Sequence, residues 1–402
     1  MIKKVHIEDL QPGMEIVKLS SEIWEHLPFL YTEPGIIKSK NQISSIRENG
    51  YLHAFIKLDN SSSESDEKRL DRLISQREHT PPQKIRTPFS QEIEVAQKTY
   101  KKAMVQAKRI VNDAKLGRKV DYEATIDTVG SIVDSAVRNP DTLLCLSKLS
   151  SYDAYTYAHS INVAAISVVF GEYLGLARHE LIHLGAAGMM HDLGKTAIPA
   201  RIISKRGRLT ENEFDEVRRH PQHGCDILKR HGKIPEEVLA AVQGHHEKYN
   251  GSGYPRKLSK KDIPGFARIL CLADVYDALT SDRSYKEAIL PNKALAIMYG
   301  MRDQDFDTQE VQLFIKCLGI FPSGSLVKLN TGFYGLVYES NPTLPLMPKI
   351  KIILDEDLRP IPAKLVDLAA EQAVGKDNLE ILECADPSAY KINLRPYLTR
   401  KG

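Results

Sequence analysis

Residues 154–170 read AYTYAHSINVAAISVVF. His159, Val163, Ile166 and Phe170 recur at steps of four, three and four residues, the period of one helix face. A histidine on such an apolar stripe is either a hydrogen-bonded core residue or a ligand. The same placement repeats along the chain. ELIHLGAAGMMHDLGK (180–195) carries His191 and Asp192 at the end of an apolar helix, shortly before Gly194. In LTENEFDEVRRHPQHG (209–224), Thr210 and Glu213 form a capping box, and Phe214, Val217 and His220 share a face. EEVLAAVQGHHE (236–247) puts His245 and His246 on the side of Val238, and RILCLADVYDAL (268–279) sets Asp274 in a very apolar run. From about 142 to 318 the chain therefore reads as almost wholly helical.

Helical patterning also extends upstream. Ser90 is a plausible N-cap, and Ala96, Tyr100, Ala103, Ala107, Ile110 and Ala114 follow it at helical spacing. A second helix, with Ile126, Val129, Ile132, Val133 and Val137 on one side, should end before Pro140. The flanks differ. GMEIVKL and AFIKL are short β-like runs near the N-terminus, with a turn at Pro12-Gly13. NSSSESDEKRLDRLISQREHTPPQKIRTP (60–88) is polar and lacks sustained apolar periodicity. PSGSLVKLNTGFYGLVYES (322–340) reads as a hairpin, and KIKIILDED (349–357) as another strand. The expected class is mainly α. A helical bundle carrying a metal site over 90–321 is flanked by a small N-terminal α+β module over 1–58, a polar linker over 59–89 and a small β-rich C-terminal module over 322–402.

Composition narrows the function classes. Lys and Arg total 55 against 52 Asp and Glu, a net +3 over 402 residues. That balance argues against a protein built around a nucleic-acid groove, so no DNA or RNA partner is expected. The five cysteines are scattered and form no CxxC pair, which suits a reducing compartment. No apolar run of about 18 residues occurs, and the N-terminus has no signal-peptide pattern. The expected location is the cytoplasm, away from the membrane.

Nine of the 13 histidines fall between His159 and His246. Five of these, with Asp192 and Asp274, lie on inward stripes of five separate helices. A buried carboxylate without a partner is costly, and divalent cations would compensate both carboxylates and imidazole lone pairs. Five imidazoles and two carboxylates exceed the need of one four-coordinate zinc. They suit two metals bridged by a carboxylate. Mixed nitrogen and oxygen ligation favours iron, manganese, nickel, cobalt or zinc over calcium or magnesium. Two metals in a helical bundle point to hydrolysis at phosphorus, although redox chemistry on oxygen stays open on the ligands alone.

HDLGK (191–195) and HHEKYNGSGYP (245–255) resemble the two signatures of the HD-GYP phosphodiesterases. The resemblance spans roughly 145–320. It takes in AHSINVA around His159, HPQHG from His220 and ADVYDALTSDRSYK from Ala273. The N-terminal module is similar to the uncharacterised domain often fused ahead of HD-GYP domains in bacteria. The resemblance implies an HD-type bundle that hydrolyses cyclic dinucleotides, mainly cyclic di-GMP, to the linear 5′-phosphorylated dinucleotide and slowly on to GMP. By position, one metal would take His159, His191, Asp192 and Asp274. The second would take the bridging Asp192 with His220, His245 and His246. Iron or manganese is the expected pair, with nickel, cobalt or zinc as alternatives. Lys195 would neutralise the scissile phosphate or assist the leaving oxygen. Tyr254 would lie near substrate, and Arg283 and Lys286 would hold phosphate or guanine. A homodimer through the leading helices and a signalling protein partner are also implied. Two departures stand out. Tyr155 occupies the place where some members carry a glutamate for a third metal. Asn250 replaces the usual aspartate of the GYP loop, which should disturb the loop around Tyr254. A cyclic GMP–AMP hydrolase, and a sensor that binds cyclic di-GMP with little cleavage, are the rival readings.

Overall fold

The structure is a computed structural model that describes residues 2–7, 10, 15–20, 35–37, 43–44, 46, 53–57, 70, 73–74, 77, 85–149, 155–205, 207–230, 233–282, 288–341, 343–373 and 379–399. Its centre is helical. α1 (Phe89–Lys115) is followed by α2 (Tyr122–Arg138), α3 (Pro140–Lys148), α4 (Tyr155–Leu174) and α5 (Arg178–Met190). After a 3-10 turn (Leu193–Ala197) come α6 (Ala200–Ile203), α7 (Glu211–Val217), α8 (His220–Arg230), α9 (Glu236–Gly244), α10 (Gly265–Thr280), α11 (Pro291–Gly300) and α12 (Thr308–Leu318). Local chemistry marks several starts. The Asp121 side chain accepts from Ala124 N–H at α2, Asn139 precedes a proline in the first turn of α3, and the Thr210–Glu213 capping box opens α7.

α4 is the hub. Every residue from Ala158 to Phe170 is buried, so the helix has no solvent face. The single apolar stripe read from its sequence is only one side of a helix packed all round. α5 can lie close against it because Gly188 has no side chain. A Cβ there would sit 2.8 Å from the Cα of Ala164. α1 begins one residue before Ser90, with Pro88 at the cap position, because Phe89 is drawn inward: its ring lies 4.1 Å from that of Tyr338 and its N–H donates to Glu339 Oε1. In the polar segment read as a linker, Leu70 and Ile74 are nonetheless buried against the helical core.

Two antiparallel sheets flank the helices. The N-terminal one has the order β1 (Ile2–His6), β4 (His53–Lys57), β2 (Glu15–Ser20), β3 (Gly35–Ile36). The C-terminal one has the order β8 (Pro360–Asp367), β7 (Lys349–Leu354), β6 (Tyr334–Glu339), β5 (Leu326–Leu329), β9 (Ile381–Ala385). The expected hairpin is the β5–β6 pair, with Leu326 opposite Leu336 and Lys328 opposite Tyr334. This sheet is pinned to the bundle. Asp141 on α3 accepts from the hydroxyls of Ser323 (2.6 Å) and Ser340 (2.9 Å) and from Ser340 N–H (3.2 Å). The described part of the chain is mainly helical with β-rich flanks. Among the described residues no helix is long and apolar enough to cross a membrane.

Candidate metal centre

The seven expected ligands come from five parts of the bundle. His159 is on α4, and His191 and Asp192 stand just past the end of α5. His220 opens α8, His245 and His246 follow α9, and Asp274 is on α10. The structure brings all seven together. Asp192 is the centre of the arrangement. Its Oδ1 lies 3.4 Å from His220 Nε2, and its Oδ2 lies 3.4 Å from His191 Nε2 and 3.7 Å from His159 Nε2. Asp274 faces His159 Nε2 at 3.2 Å through Oδ1 and His246 Nδ1 at 3.9 Å through Oδ2. Ligand atoms of Asp192, His220, His245 and His246 lie within 4.8 Å of one another, as do those of His159, His191 and Asp192, and those of His191, His245 and Asp274.

The tautomers are set by the helix ends. Nδ1 of His191 lies 2.7 Å from Gly188 O, Nδ1 of His220 lies 2.8 Å from Val217 O, and Nδ1 of His245 lies 2.7 Å from Val242 O. A carbonyl only accepts, so each Nδ1 carries the proton and each Nε2 keeps its lone pair. Two such nitrogens, on His220 and His245, face each other at 3.2 Å. His191 Nε2 and Asp192 Oδ1 are buried with no hydrogen-bond partner. Opposed lone pairs and an orphaned carboxylate oxygen are unfavourable without a positive charge between them. The donor set thus fits a divalent metal ion, and the cluster is one that could hold such an ion.

Electrostatics agree. Burial alone would drive the Asp192 carboxyl up, but Lys195 and His191 beside it outweigh burial and hold it well below the usual carboxylate range. Burial is likewise overcome at Asp274 by the His159 hydrogen bond. Burial pushes His220 down to about 3 and His246 to about 4, and takes His245 well below the ordinary imidazole value. These three imidazoles are neutral at any ordinary pH, the form in which an imidazole can bind a metal. His159 goes the other way, to about 10: burial opposes the charge, but hydrogen bonds to Asp274 and Asp277 prevail. A cation bound at Nε2 takes the place of that proton.

Lys195 Nζ lies 2.6 Å from Asp192 Oδ2, so its charge is already tied to the central carboxylate. The Tyr254 ring lies over His246, centroids 4.8 Å apart, with the Arg218 guanidinium 6.0 Å from the tyrosine ring on the other hand. Asn250 does not disturb this loop. Its Oδ1 accepts from Ser252 N–H at 2.9 Å, the turn contact an aspartate would make, and its amide donates to Gln304 Oε1 at 2.9 Å, which an ionised aspartate could not do. Arg283 and Lys286 lie outside the described residues, and so does the side chain of Tyr155.

Sequence reasoning passed over two residues of the site. Asp277 holds His159 Nδ1 at 2.7 Å. It stands three residues after Asp274, on the same helix face, and that spacing was the available signal. Glu247 is buried and its two oxygens accept from the backbone N–H groups of Arg256 (2.6 Å) and Leu258 (3.0 Å), which ties down the loop behind Tyr254. A glutamate directly after two ligand histidines was its only sign.

Comparison with known proteins places the chain. Residues 144–309 match the model described as HD domain, 2–125 the Domain of unknown function (DUF3391), and 326–375 the KOW domain associated with HD domain. The second match runs past residue 58 and covers α1. A cyclic di-GMP phosphodiesterase of Pseudomonas aeruginosa is 32% identical over 371 residues, 92% of this chain and 89% of the relative. The cyclic di-GMP phosphodiesterase response regulator RpfG of Xanthomonas campestris is 38% identical over 44% of this chain and 48% of its own length. A 3′3′-cGAMP-specific phosphodiesterase of Vibrio cholerae is 31% identical over 48% of this chain and 37% of its own. With a relative matched over nearly its whole length, and with HDLGK and HHEKYNGSGYP converging on one metal-ligand cluster, the chain belongs to the HD-GYP family of HD-domain proteins.

Proposed function

We propose that this protein is a metal-dependent phosphodiesterase that opens cyclic di-GMP to the linear dinucleotide and so lowers the level of a second messenger. The observation that carries the reading is Asp192, whose two oxygens face separate histidine sets, His220 on one and His191 with His159 on the other. That arrangement suits two transition metals, iron or manganese in the first place, sharing one carboxylate. Such ions act as Lewis acids toward a phosphoryl oxygen and lower the pKa of water.

The chain's own groups supply the rest. Lys195, held on Asp192 and about one-third exposed, can turn its ammonium to a phosphate oxygen. Burial raises the Tyr254 hydroxyl far above its ordinary value, so it stays a neutral donor beside His246. In sequence Arg283 and Lys286 come three and six residues after the end of α10, and we assign them to substrate phosphate or guanine. The seven candidate ligands lie together, with Lys195 beside Asp192, which supports turnover over a sensor role. Five free thiols accord with a cytoplasmic setting.

A second reading has one specific support: a relative at 31% identity is named a 3′3′-cGAMP-specific phosphodiesterase. One time course separates the possibilities. Manganese-loaded protein is given cyclic di-GMP or 3′3′-cyclic GMP–AMP, and products are resolved by chromatography. The expected result is faster loss of cyclic di-GMP, with linear dinucleotide accumulating before mononucleotide. The second cleavage must rebind a product with an added terminal charge, and Tyr155 offers no carboxylate for a further metal. Preferential loss of cyclic GMP–AMP would reassign the substrate, and binding of both without cleavage would make the protein a sensor.

A further inference from the structure

Asp277, Asn162 and Tyr100 lie outside the ligand set, yet a continuous line of hydrogen bonds joins them to it. Asp277 Oδ2 accepts from His159 Nδ1 at 2.7 Å. Its Oδ1 accepts from Asn162 Nδ2 at 2.8 Å and from the Ser281 hydroxyl at 3.1 Å. Asn162 Oδ1 in turn accepts from the Tyr100 hydroxyl at 2.8 Å. Asp277 and Asn162 are 2% and 1% exposed, so these bonds compete with little water.

The direction of the line follows from one charge. A carboxylate only accepts, so Asn162 must turn its NH2 toward Asp277. Its carbonyl oxygen then faces Tyr100, and the Tyr100 hydroxyl must donate. At the other end the proton of His159 sits on Nδ1, and Nε2 points at Asp192 and Asp274. His159 and Asn162 are one turn apart on α4 (i, i+3). A single turn of the buried hub helix therefore meets the metal centre through one side chain and α1 through the next. α1 falls within the residues matched by the domain of unknown function, 2–125. Its first residue donates to Glu339 of the C-terminal sheet.

We propose that Tyr100, Asn162 and Asp277 form a positioning relay that fixes the orientation of His159 as a metal ligand and couples it to the placement of α1. The proposal rests on reading the His/Asp cluster as a metal centre. Hydrogen bonds weaken steeply with stretch and misalignment. A slide of α1 along α4 by about an ångström breaks the Tyr100 contact and loosens the hold on the Asn162 amide. Asp277 then holds His159 with one donor fewer to keep it in place. The relay makes α1 the element through which the N-terminal region can change metal affinity.

The test uses the full chain, stripped of metal, with Mn2+ as the probe and chelator competition as the readout. Asp277→Asn is expected to weaken Mn2+ binding about ten- to a hundredfold, the usual effect of removing the partner that orients a ligand histidine. Tyr100→Phe keeps the ring and should weaken binding about three- to tenfold, the worth of one buried neutral hydrogen bond. In a relay the two losses are not independent, so the double variant should bind Mn2+ no more weakly than Asp277→Asn alone. Loss of the buried hydrogen bond should lower the metal-free thermal midpoint of Tyr100→Phe slightly; a merely structural contact would do that and leave the Mn2+ affinity at the wild-type value. Wild-type Mn2+ affinity in Tyr100→Phe overturns the relay, and so does full additivity in the double variant. If Asp277→Asn fails to fold, Tyr100→Phe alone decides. Failure of the phosphodiesterase reading would show separately, as Mn2+ binding by the wild type without turnover of any cyclic dinucleotide.

Discussion

Ligand geometry at the residue scale is a by-product of helix ends. The last carbonyls of a helix have no amide partner within it. Gly188, Val217 and Val242 each offer such a carbonyl to the Nδ1 of the histidine three residues later. The backbone thus orients three imidazoles before any metal arrives. Asp192 belongs to two of the three ligand groups and faces both histidine sets, so Asp192→Ala should be the most damaging single change. Bound metal is expected to fall below one ion per chain by elemental analysis, and activity by at least about a hundredfold. Full metal content and activity in that variant would remove Asp192 from the bridging position. Arg283→Ala and Lys286→Ala should do the reverse, with unchanged metal content. A charge-assisted hydrogen bond is worth about 1.5–3 kcal/mol, so each should raise KM roughly ten- to a hundredfold. Steady-state kinetics showing wild-type KM in both variants would return these side chains to the solvated surface.

Among the elements, the 3-10 turn after α5 decides whether the two histidine sets meet. Gly194 of HDLGK lies directly under the start of α8. A Cβ at this position would collide with the His220 carbonyl oxygen and the Gly224 nitrogen, both backbone atoms that cannot rotate away. Gly194→Ala must therefore push α8, and His220 with it, off Asp192. The expected cost is about 3 kcal/mol or more in a denaturant titration, with loss of metal from the His220–His245–His246 side. A variant with wild-type stability and metal content would show that α8 can shift without consequence. The glycine of the signature is thus explained by close packing between two elements.

For the molecule as a whole, Asp141 is the joint between the bundle and the C-terminal sheet. Burial pushes its carboxyl up to about 6, against the three donors from Ser323 and Ser340. The folded value lies above the unfolded one, so the folded state binds the proton more tightly. The stability this contributes is complete below about pH 4 and is lost as the pH rises through 6. A shift of about two pKa units corresponds to about 3 kcal/mol. Asp141→Asn removes the titration and keeps an oxygen for the serines. Its stability relative to the wild type should rise by about 3 kcal/mol between pH 4 and pH 7, measured by chemical denaturation at a series of pH values. A difference that does not change with pH would mean that Asp141 titrates alike in the folded and unfolded states.

Periodicity reports which face of a segment is apolar, and residue type reports which atoms can ligate. Both are local, and both were legible: the helical class, the histidines and aspartates on inward stripes, and the short β runs of the flanks. The motif resemblance added which ligands belong together. What remained hidden depends on packing between distant parts of the chain. That α4 is buried on every side follows from its neighbours. Asp277 reaches His159 across 118 positions, and Tyr100 reaches Asn162 across 62. Leu70 and Ile74 are buried although their surroundings in sequence are polar. A hydrogen-bond acceptor has no pattern of its own in sequence. Its partner is chosen only when helices close to within about 10 Å of each other, and that choice belongs to the tertiary structure.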